Sequence, residues 1–384
     1  MHLVANARMP SQRAQSLQVA QAAASFARAG METKLWYARR RDTPLPVNAA
    51  ELWDHYAVPA GTRPDAEAVP CIDMIDRVAR ALQFVPARIQ ELTFARNAAR
   101  RIRKLPETDW VVTREVEVAA QLRRRPRLAL ELHRVPGGRM RRRCLAQVIG
   151  SGTRLLAISG GVRDDLIAQG AAAQRIHVAH DGFEPSRFAA LPTRAEACAD
   201  LGLDPGLPVV VYTGGLMTWK GVEVLVDAAR GMQHVQFVIA GGMDADVRAL
   251  KVAAQGAPHV RIDGFQPPSR VSTYLAAADV GVVPNRSTPA ISARYTSPLK
   301  VFEAMAVGLP LVVSDLPSLR DVLTSDQARF VPAEDAAALA EALAELLGDA
   351  DRRSAMSRAL LAAAPDNTWD ARAARILDFL EAAA

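Results

Sequence analysis

The sequence predicts an α/β protein of two domains, each a parallel sheet covered by helices, and three observations lead there. The chain is 384 residues long and half apolar, more than a single core usually organises and enough to bury two. Short runs rich in Val, Ile and Leu alternate with longer stretches of helical period, as expected for strands buried on both faces between helices. That alternation occurs twice, on either side of a stretch near 185–208 where turn and proline signals cluster, in DGFEPSRFAALPTR and GLDPGLP.

Taken in order, strands are expected near HLVANA (2–7), TKLWYA (33–38), WVVTRE (110–115), LALELH (128–133), LLAIS (155–159) and IHVAH (176–180). Between 42 and 106 prolines and amphipathic helical patches occur with no clear strand, which reads as a helical insertion in the first domain. The second series falls near VVVYTG (209–214), FVIAGG (237–242), VRIDGF (260–265), VGVVPN (280–285), LPLVVSD (309–315) and ARFVP (328–332). Beyond it, WDARAARILDFLEAAA places Trp369, Ala373, Ile376, Leu377 and Leu380 at helical spacing, a helix suited to pack back on the first domain. The expected division is 1–188, 189–365 and a returning helix 366–384.

Composition narrows the function. No run of eighteen apolar residues occurs and the first residues lack the pattern of a secretory signal, so the chain reads as cytoplasmic. Cys71, Cys144 and Cys198 are far apart and form no CxxC pair, which argues against disulfide frameworks and zinc knuckles. The net charge of +6 is unevenly spread: residues 1–190 hold 30 Lys and Arg against 18 Asp and Glu, and residues 191–384 hold 17 against 23. Much of the first half's excess sits in AARRIRK (98–104), RRRPR (123–127) and RMRRR (139–143). These are either solvated helix faces or a surface for an anionic acceptor or lipid. Aromatic residues make up 5%, and no binding motif accompanies the arginines, so nucleic acid is not an expected partner.

The chemistry is expected in loops that follow strands, because ligands of open parallel sheets bind outside the strands' carboxyl ends. In YTSPLKVFEAMAVGLPLVVSD (295–315), Ser297 is placed to cap a short helix and Pro298 to occupy its first position, leaving the N–H groups of Leu299 and Lys300 free. A helix N-terminus with an added lysine suits a diphosphate. Glu303 lies one turn further on the same face, where its oxygens suit neighbouring ribose hydroxyls. The same spacing also describes a plain surface ion pair. In VVVYTGGLMTWKG (209–221) a strand runs into Gly214 and Gly215, which let backbone approach a ligand, and Lys220 opens the next helix as a second cation. DAD at 244–246 imitates a metal-binding acidic pair, but Asp244 reads better as a helix N-cap with Asp246 in the first turn.

With these pieces in order, the chain resembles the retaining family-4 glycosyltransferases of the GT-B fold over nearly its whole length. NARMPSQRAQSLQVAQAAASFARAG is similar to the family's acceptor-side loop and first helix, and ISGGVRDDLIAQG with VAHDGFEPSRF to its domain-closing segment. YTGGLMTWKGVEVLVDA, FVIAGG, GFQPPSRVSTYLAAADVGVVPN and SPLKVFEAMAVGLPLVVSDLPSLRDVL resemble its donor half, the last most specifically. The resemblance implies two Rossmann-like domains facing across a cleft, and transfer of a sugar from a UDP- or GDP-linked donor with retention. The product would belong to polysaccharide, glycolipid or glycoconjugate synthesis, and neither cofactor nor metal is expected. It implies that Glu303, the second glutamate of an E-x7-E motif, holds the ribose, that Lys220 meets the diphosphate, and that Ser297 to Lys300 supply an amide cradle. It also implies that His133 stands beside the donor sugar, and that Phe265 and Gln266 touch the base, although Phe265 reads equally as core.

Two positions depart from that pattern. Tyr295 stands where the first glutamate would, as in an SPLK subgroup, and Gly215 where many members place a diphosphate-binding arginine. Lys220 and Lys300 must then neutralise the leaving group, with Arg294 a neighbouring arginine in sequence. The basic first half suits an anionic or lipid-linked acceptor and peripheral contact with a membrane's inner face. The rival expectations are a nucleotide-sugar-binding protein without transfer, and a GT-B epimerase or phosphorylase. A nucleotide released only in the presence of acceptor separates the first, and product analysis the second.

Overall fold

The computed structural model describes every residue except 12, 42, 44–48, 80, 81, 383 and 384. The chain divides into two compact units. The first comprises Met1–Ile158, Val162–Ala179 and Trp369–Ala384, and the second Ser159–Gly161 and His180–Thr368.

The first unit is built on seven strands: β1 (His2–Arg8), β2 (Lys34–Arg39), β3 (Asp65–Pro70), β4 (Val111–Thr113), β5 (Leu128–Leu132), β6 (Arg154–Ala157) and β7 (Ile176–Val178). They lie side by side in the order β3-β2-β1-β4-β5-β6-β7, and every pairing is parallel. The centre is buried on both faces, as covering helices require: all five residues of β5, Glu131 among them, are buried.

β3 corrects the expectation of a strandless insertion. Its sequence DAEAVP carries no apolar run, and Val69 is its one buried residue. An edge strand needs only one partner, here β2 in register from Lys34 opposite Asp65 to Arg39 opposite Pro70, and so tolerates charge and a terminal proline. The insertion's helices Ala49–His55 and Phe84–Ile102 are present, whereas its residues 42, 44–48, 80 and 81 lie outside the described ones. The final helix, Trp369–Glu381, belongs to the first unit; it buries Trp369, Arg372, Ala373, Ile376 and Leu380, and stacks Phe379 on His177 with ring centroids 5.2 Å apart.

The second unit holds β8 (Val209–Thr213), β9 (Gln236–Ala240), β10 (Val260–Gly264), β11 (Val280–Val283), β12 (Leu311–Ser314) and β13 (Ala328–Val331), in the order β10-β9-β8-β11-β12-β13. All are parallel, and Tyr212, Phe237 and Phe302 are among the largest side chains fully buried in this unit. In both sheets the strand order reverses beside the first strand, between β1 and β4 and between β8 and β11. Such reversals open the crevice where ligands bind. Among the described residues no helix is long and apolar enough to cross a membrane.

Candidate functional site

At the reversal of the second sheet, β8 runs on into Gly214, and β11 leads through a segment with the short helix Ala290–Ala293 into the helix Leu299–Val307. That helix buries Lys300 and Glu303 together with Val301, Phe302, Ala304 and Met305, and Gly308, in left-handed conformation at φ 64°, terminates it. Its start differs from the expected one. Pro298, extended at φ −80° and ψ 112°, is the N-cap, and Ser297 lies outside. The residue before a proline is pushed away from helical geometry, and the serine hydroxyl serves another purpose: it accepts the backbone N–H of Asp181 at 2.8 Å. Leu299 and Lys300 keep the N–H groups that no helical carbonyl can reach.

The plain surface ion pair that the spacing of Lys300 and Glu303 also described is not formed. Glu303 instead meets Arg187 at 3.1 Å. The Lys300 ammonium is buried without any hydrogen-bond partner, and its Nζ lies 3.4 Å from the centre of the Tyr212 ring. Gly214 makes room for it: at φ 132°, a Cβ added there would come within 3.2 Å of Lys300 Nζ. Tyr212 is itself fixed by a hydrogen bond from its hydroxyl to the carbonyl of Gly215, at 2.6 Å.

Lys220 lies in a short 3-10 turn, Thr218–Lys220, with Gly221 capping the following helix, so it precedes that helix rather than opening it. Its Nζ sits 3.9 Å over the Trp219 ring. Burial pushes Lys220 down to about 7. Burial holds Lys300 well below the ordinary lysine range; the charge of Lys220 lowers it further and Glu303 opposes the shift. Two lysines whose charging is suppressed by burial, and for Lys300 also by its neighbour, one of them without a hydrogen-bond partner, are an arrangement that an anion relieves.

Around this pair, Tyr295 lies beneath the Arg294 guanidinium, 5.7 Å from its ring centre. Phe265, beyond β10, is exposed and so not core, while the side chain of Gln266 donates to the carbonyl of Asp263 at 3.3 Å. Asp244 and Asp246 both lie in the first turn of the helix Asp244–Ala253, whose N-cap is Met243 instead of the expected Asp244. An extended Met243 leaves the aspartates inside the first turn, where they still favour its positive end. Among the described residues no cluster of three or more His, Cys, Asp and Glu could hold a metal ion.

Three residues of this region escaped sequence reasoning. Tyr212 reads as one more strand residue in VVVYT. Arg187 stands in the turn segment EPSRF, and nothing in sequence links it to a residue more than a hundred positions on. Asn285, beyond β11, is fully buried with both amide atoms unpartnered, which a loop asparagine gives no reason to expect.

In the first unit, His133 follows β5 and belongs to a closed network. Its Nε2 lies 2.8 Å from Glu131 Oε1, and an Arg114 terminal nitrogen lies 2.6 and 2.8 Å from its two ring nitrogens. Arg372, from the final helix, reaches the other oxygen of Glu131 at 3.0 Å. Burial and the neighbouring Arg114 push His133 down to about 4, against the pull of Glu131, so it is neutral at pH 7. Burial alone would raise Glu131, but Arg372, the His133 hydrogen bond and Arg114 outweigh it and hold the carboxyl well below its usual range.

Comparison with solved structures places this architecture. Sucrose-phosphate synthase from Thermosynechococcus elongatus superposes with a TM-score of 0.77 at 18% identity, covering 100% of this chain and 99% of that one. Anabaena HepE in complex with UDP and glucose gives 0.72 at 15% identity, covering 99% and 98%. The chain has the GT-B fold. Residues 207–349, which contain Lys220, Lys300 and Glu303, match the family model described as Glycosyl transferases group 1. Similar curated proteins are a D-inositol 3-phosphate glycosyltransferase of Xylanimonas cellulosilytica and a phosphatidyl-myo-inositol mannosyltransferase of Mycobacterium leprae. The first is 30% identical over 247 residues, 60% of this chain and 57% of that protein. The second is 33% identical over 171 residues, 43% and 44% respectively. Their GT-B relative thus spans only about half of the curated relatives it matches.

Proposed function

We propose that this GT-B protein is a glycosyltransferase that takes its sugar from a nucleoside diphosphate donor seated in the second unit. The observation that carries the reading is the buried, unpartnered ammonium of Lys300 beside Lys220, at the reversal of the second sheet and the start of a helix. A diphosphate supplies the charge that this site lacks, and amides at a helix start add fixed donors for it. Glu303, oriented by Arg187, takes the ribose hydroxyls, and Phe265 with Gln266 flank the base. The glycosyltransferase relatives and the group 1 match over 207–349 support the reaction class, and the UDP and glucose named with Anabaena HepE support a nucleotide-sugar donor.

In the proposed step the bond between the anomeric carbon and the phosphate oxygen breaks while the acceptor oxygen bonds to the same face of that carbon. The acceptor's proton passes to the departing phosphate oxygen, and Lys220 and Lys300 stabilise the charge that gathers there. Configuration is thereby retained without a protein nucleophile or a metal. Tyr295 occupies the place of a sugar-binding glutamate, and the first unit takes the acceptor. A product in polysaccharide, glycolipid or glycoconjugate synthesis agrees with relatives named for inositol phosphate and phosphatidylinositol acceptors.

A thermal-shift panel of UDP- and GDP-sugars tests the donor, because a ligand that binds only the native state raises the melting point. One nucleotide series is expected to raise it in the wild type and not in Lys300→Ala. With that donor, nucleotide release should require an acceptor, and NMR of the product should show the donor's anomeric configuration. Equal responses of wild type and variant would overturn the site.

A further inference from the structure

We infer that the first unit carries a docking face for an anionic phospholipid surface, formed by the start of the helix Phe84–Ile102, the start of the helix Arg139–Gly150 and the cavity beside β2 and β3. This goes beyond the donor site and does not depend on it. Of the large apolar side chains exposed among the described residues, seven of sixteen fall between residues 72 and 92. Phe84 is 79% exposed, Leu82 67% and Val85 60%, values unlike scattered surface apolars and concentrated at one end of one helix.

The pattern along that helix points to its occupant. Pro86, Gln90, Phe94, Ala95, Ala98 and Ala99 form the buried face. The opposite face runs Val85, Ile89, Leu92, then Arg96, Arg100 and Arg103, all exposed, so it is apolar at the tip and cationic along the shaft. Arg88 holds the second helix against the first, reaching the sulfur of Met140 at 3.0 Å. That helix adds exposed Arg139, Arg142 and Arg143 beside the tip. An apolar tip with arginines behind it is the distribution that enters an anionic interface, with side chains in the acyl boundary and guanidinium groups among phosphates.

The rim of the face opens on a cavity of about 650 Å³, which shares Ile72 and Met74 with the exposed apolar stretch. Within it Arg40 is neutralised by Asp73 at 2.8 Å, whereas Arg39 and Arg41 make no ion pair among the described residues. Two uncommitted guanidinium groups beside exposed apolar side chains suit a phosphate headgroup whose chains remain in the bilayer.

Vesicle flotation tests the assignment with no need for transferase activity. The full chain is mixed with phosphatidylcholine vesicles with and without about one third phosphatidylglycerol, at low and high salt. Wild type is expected to float at least tenfold more with the anionic vesicles. Phe84→Ser with Val85→Ser should lose at least tenfold and leave only a salt-sensitive remainder. Arg142→Ala with Arg143→Ala, and separately Arg39→Ala with Arg41→Ala, should flatten the preference for anionic lipid. These positions are exposed, so melting points should stay at the wild-type value, and nucleotide-induced melting shifts should stay unchanged. No flotation of the wild type would overturn the inference, as would equal flotation of all variants. Sedimentation velocity showing self-association that Phe84→Ser and Val85→Ser abolish, with no lipid binding, would assign the face to a second copy instead.

Discussion

The two sheets offer the same topological place, the carboxyl edge beside their first strand, and treat charge there in opposite ways. In the first unit Glu131 is enclosed by His133, Arg114 and Arg372, and each guanidinium has the carboxylate close by, Arg372 at 3.0 Å and Arg114 at 3.7 Å. In the second unit Lys300 has no hydrogen-bond partner, Lys220 faces an aromatic ring, and Glu303, the carboxylate that acts on Lys300, is committed to Arg187. A neutralised network is framework that stands without a ligand. A buried cation pair left unneutralised lowers the stability of the free protein and is retained where a ligand completes it.

Mutation should therefore have opposite signs at the two places. Glu131→Gln removes the one anion from among two arginines and a histidine, and is expected to destabilise the fold by about 3–5 kcal/mol, measured by urea unfolding. Lys300→Met, which fills similar volume without charge, is expected to stabilise the free protein by about 1–3 kcal/mol while abolishing the nucleotide-induced melting shift. Were both variants destabilised alike, the contrast between the two edges would be wrong.

pH sharpens the same contrast. Lys220 titrates at about 7 in the folded protein against an ordinary 10.5. Between those values the unfolded chain holds a proton that the folded one lacks, so stability rises with pH across that window. The gain from Lys220→Met should accordingly be full below pH 7 and vanish above about 10.5. In the first unit, His133 titrates at about 4 against an ordinary 6.5, so its contribution to stability is lost as pH falls from 6.5 to 4. Urea titrations at several pH values read both slopes. A smaller effect is expected at Tyr212→Phe, which keeps the ring under Lys300 but loses the hydrogen bond to Gly215, at a cost of about 1 kcal/mol.

Much of this was legible in sequence, for a physical reason. Buried parallel strands such as VVVYT and FVIAG are nearly continuous apolar runs and so announce themselves; the polar edge strand DAEAVP does not, because one partner suffices for it. The helix Leu299–Val307 was readable from Pro298 and Gly308, yet its cap was displaced by one residue, since nothing local shows that the Ser297 hydroxyl is taken by Asp181. Lys220, Lys300 and Glu303 are legible in sequence, as charges after a glycine turn and at a helix start with one-turn spacing. Arg187, Tyr212 and Asn285 are not, because their significance lies in contacts or missing contacts that only the folded chain creates. His133 is legible at the end of its strand, but the clamp of Arg114, Glu131 and Arg372 is not, since Arg372 lies 241 residues beyond Glu131.

The most direct test follows the proton. A nucleotide sugar has no group of its own that titrates near neutrality, so protons taken up when it binds go to the protein. Calorimetry of UDP- or GDP-sugar binding at pH 8, in buffers of different ionisation heat, is predicted to show net uptake as the diphosphate restores charge to Lys220 and Lys300, and no uptake in Lys220→Met with Lys300→Met. Tight binding with no proton uptake by the wild type would contradict the account.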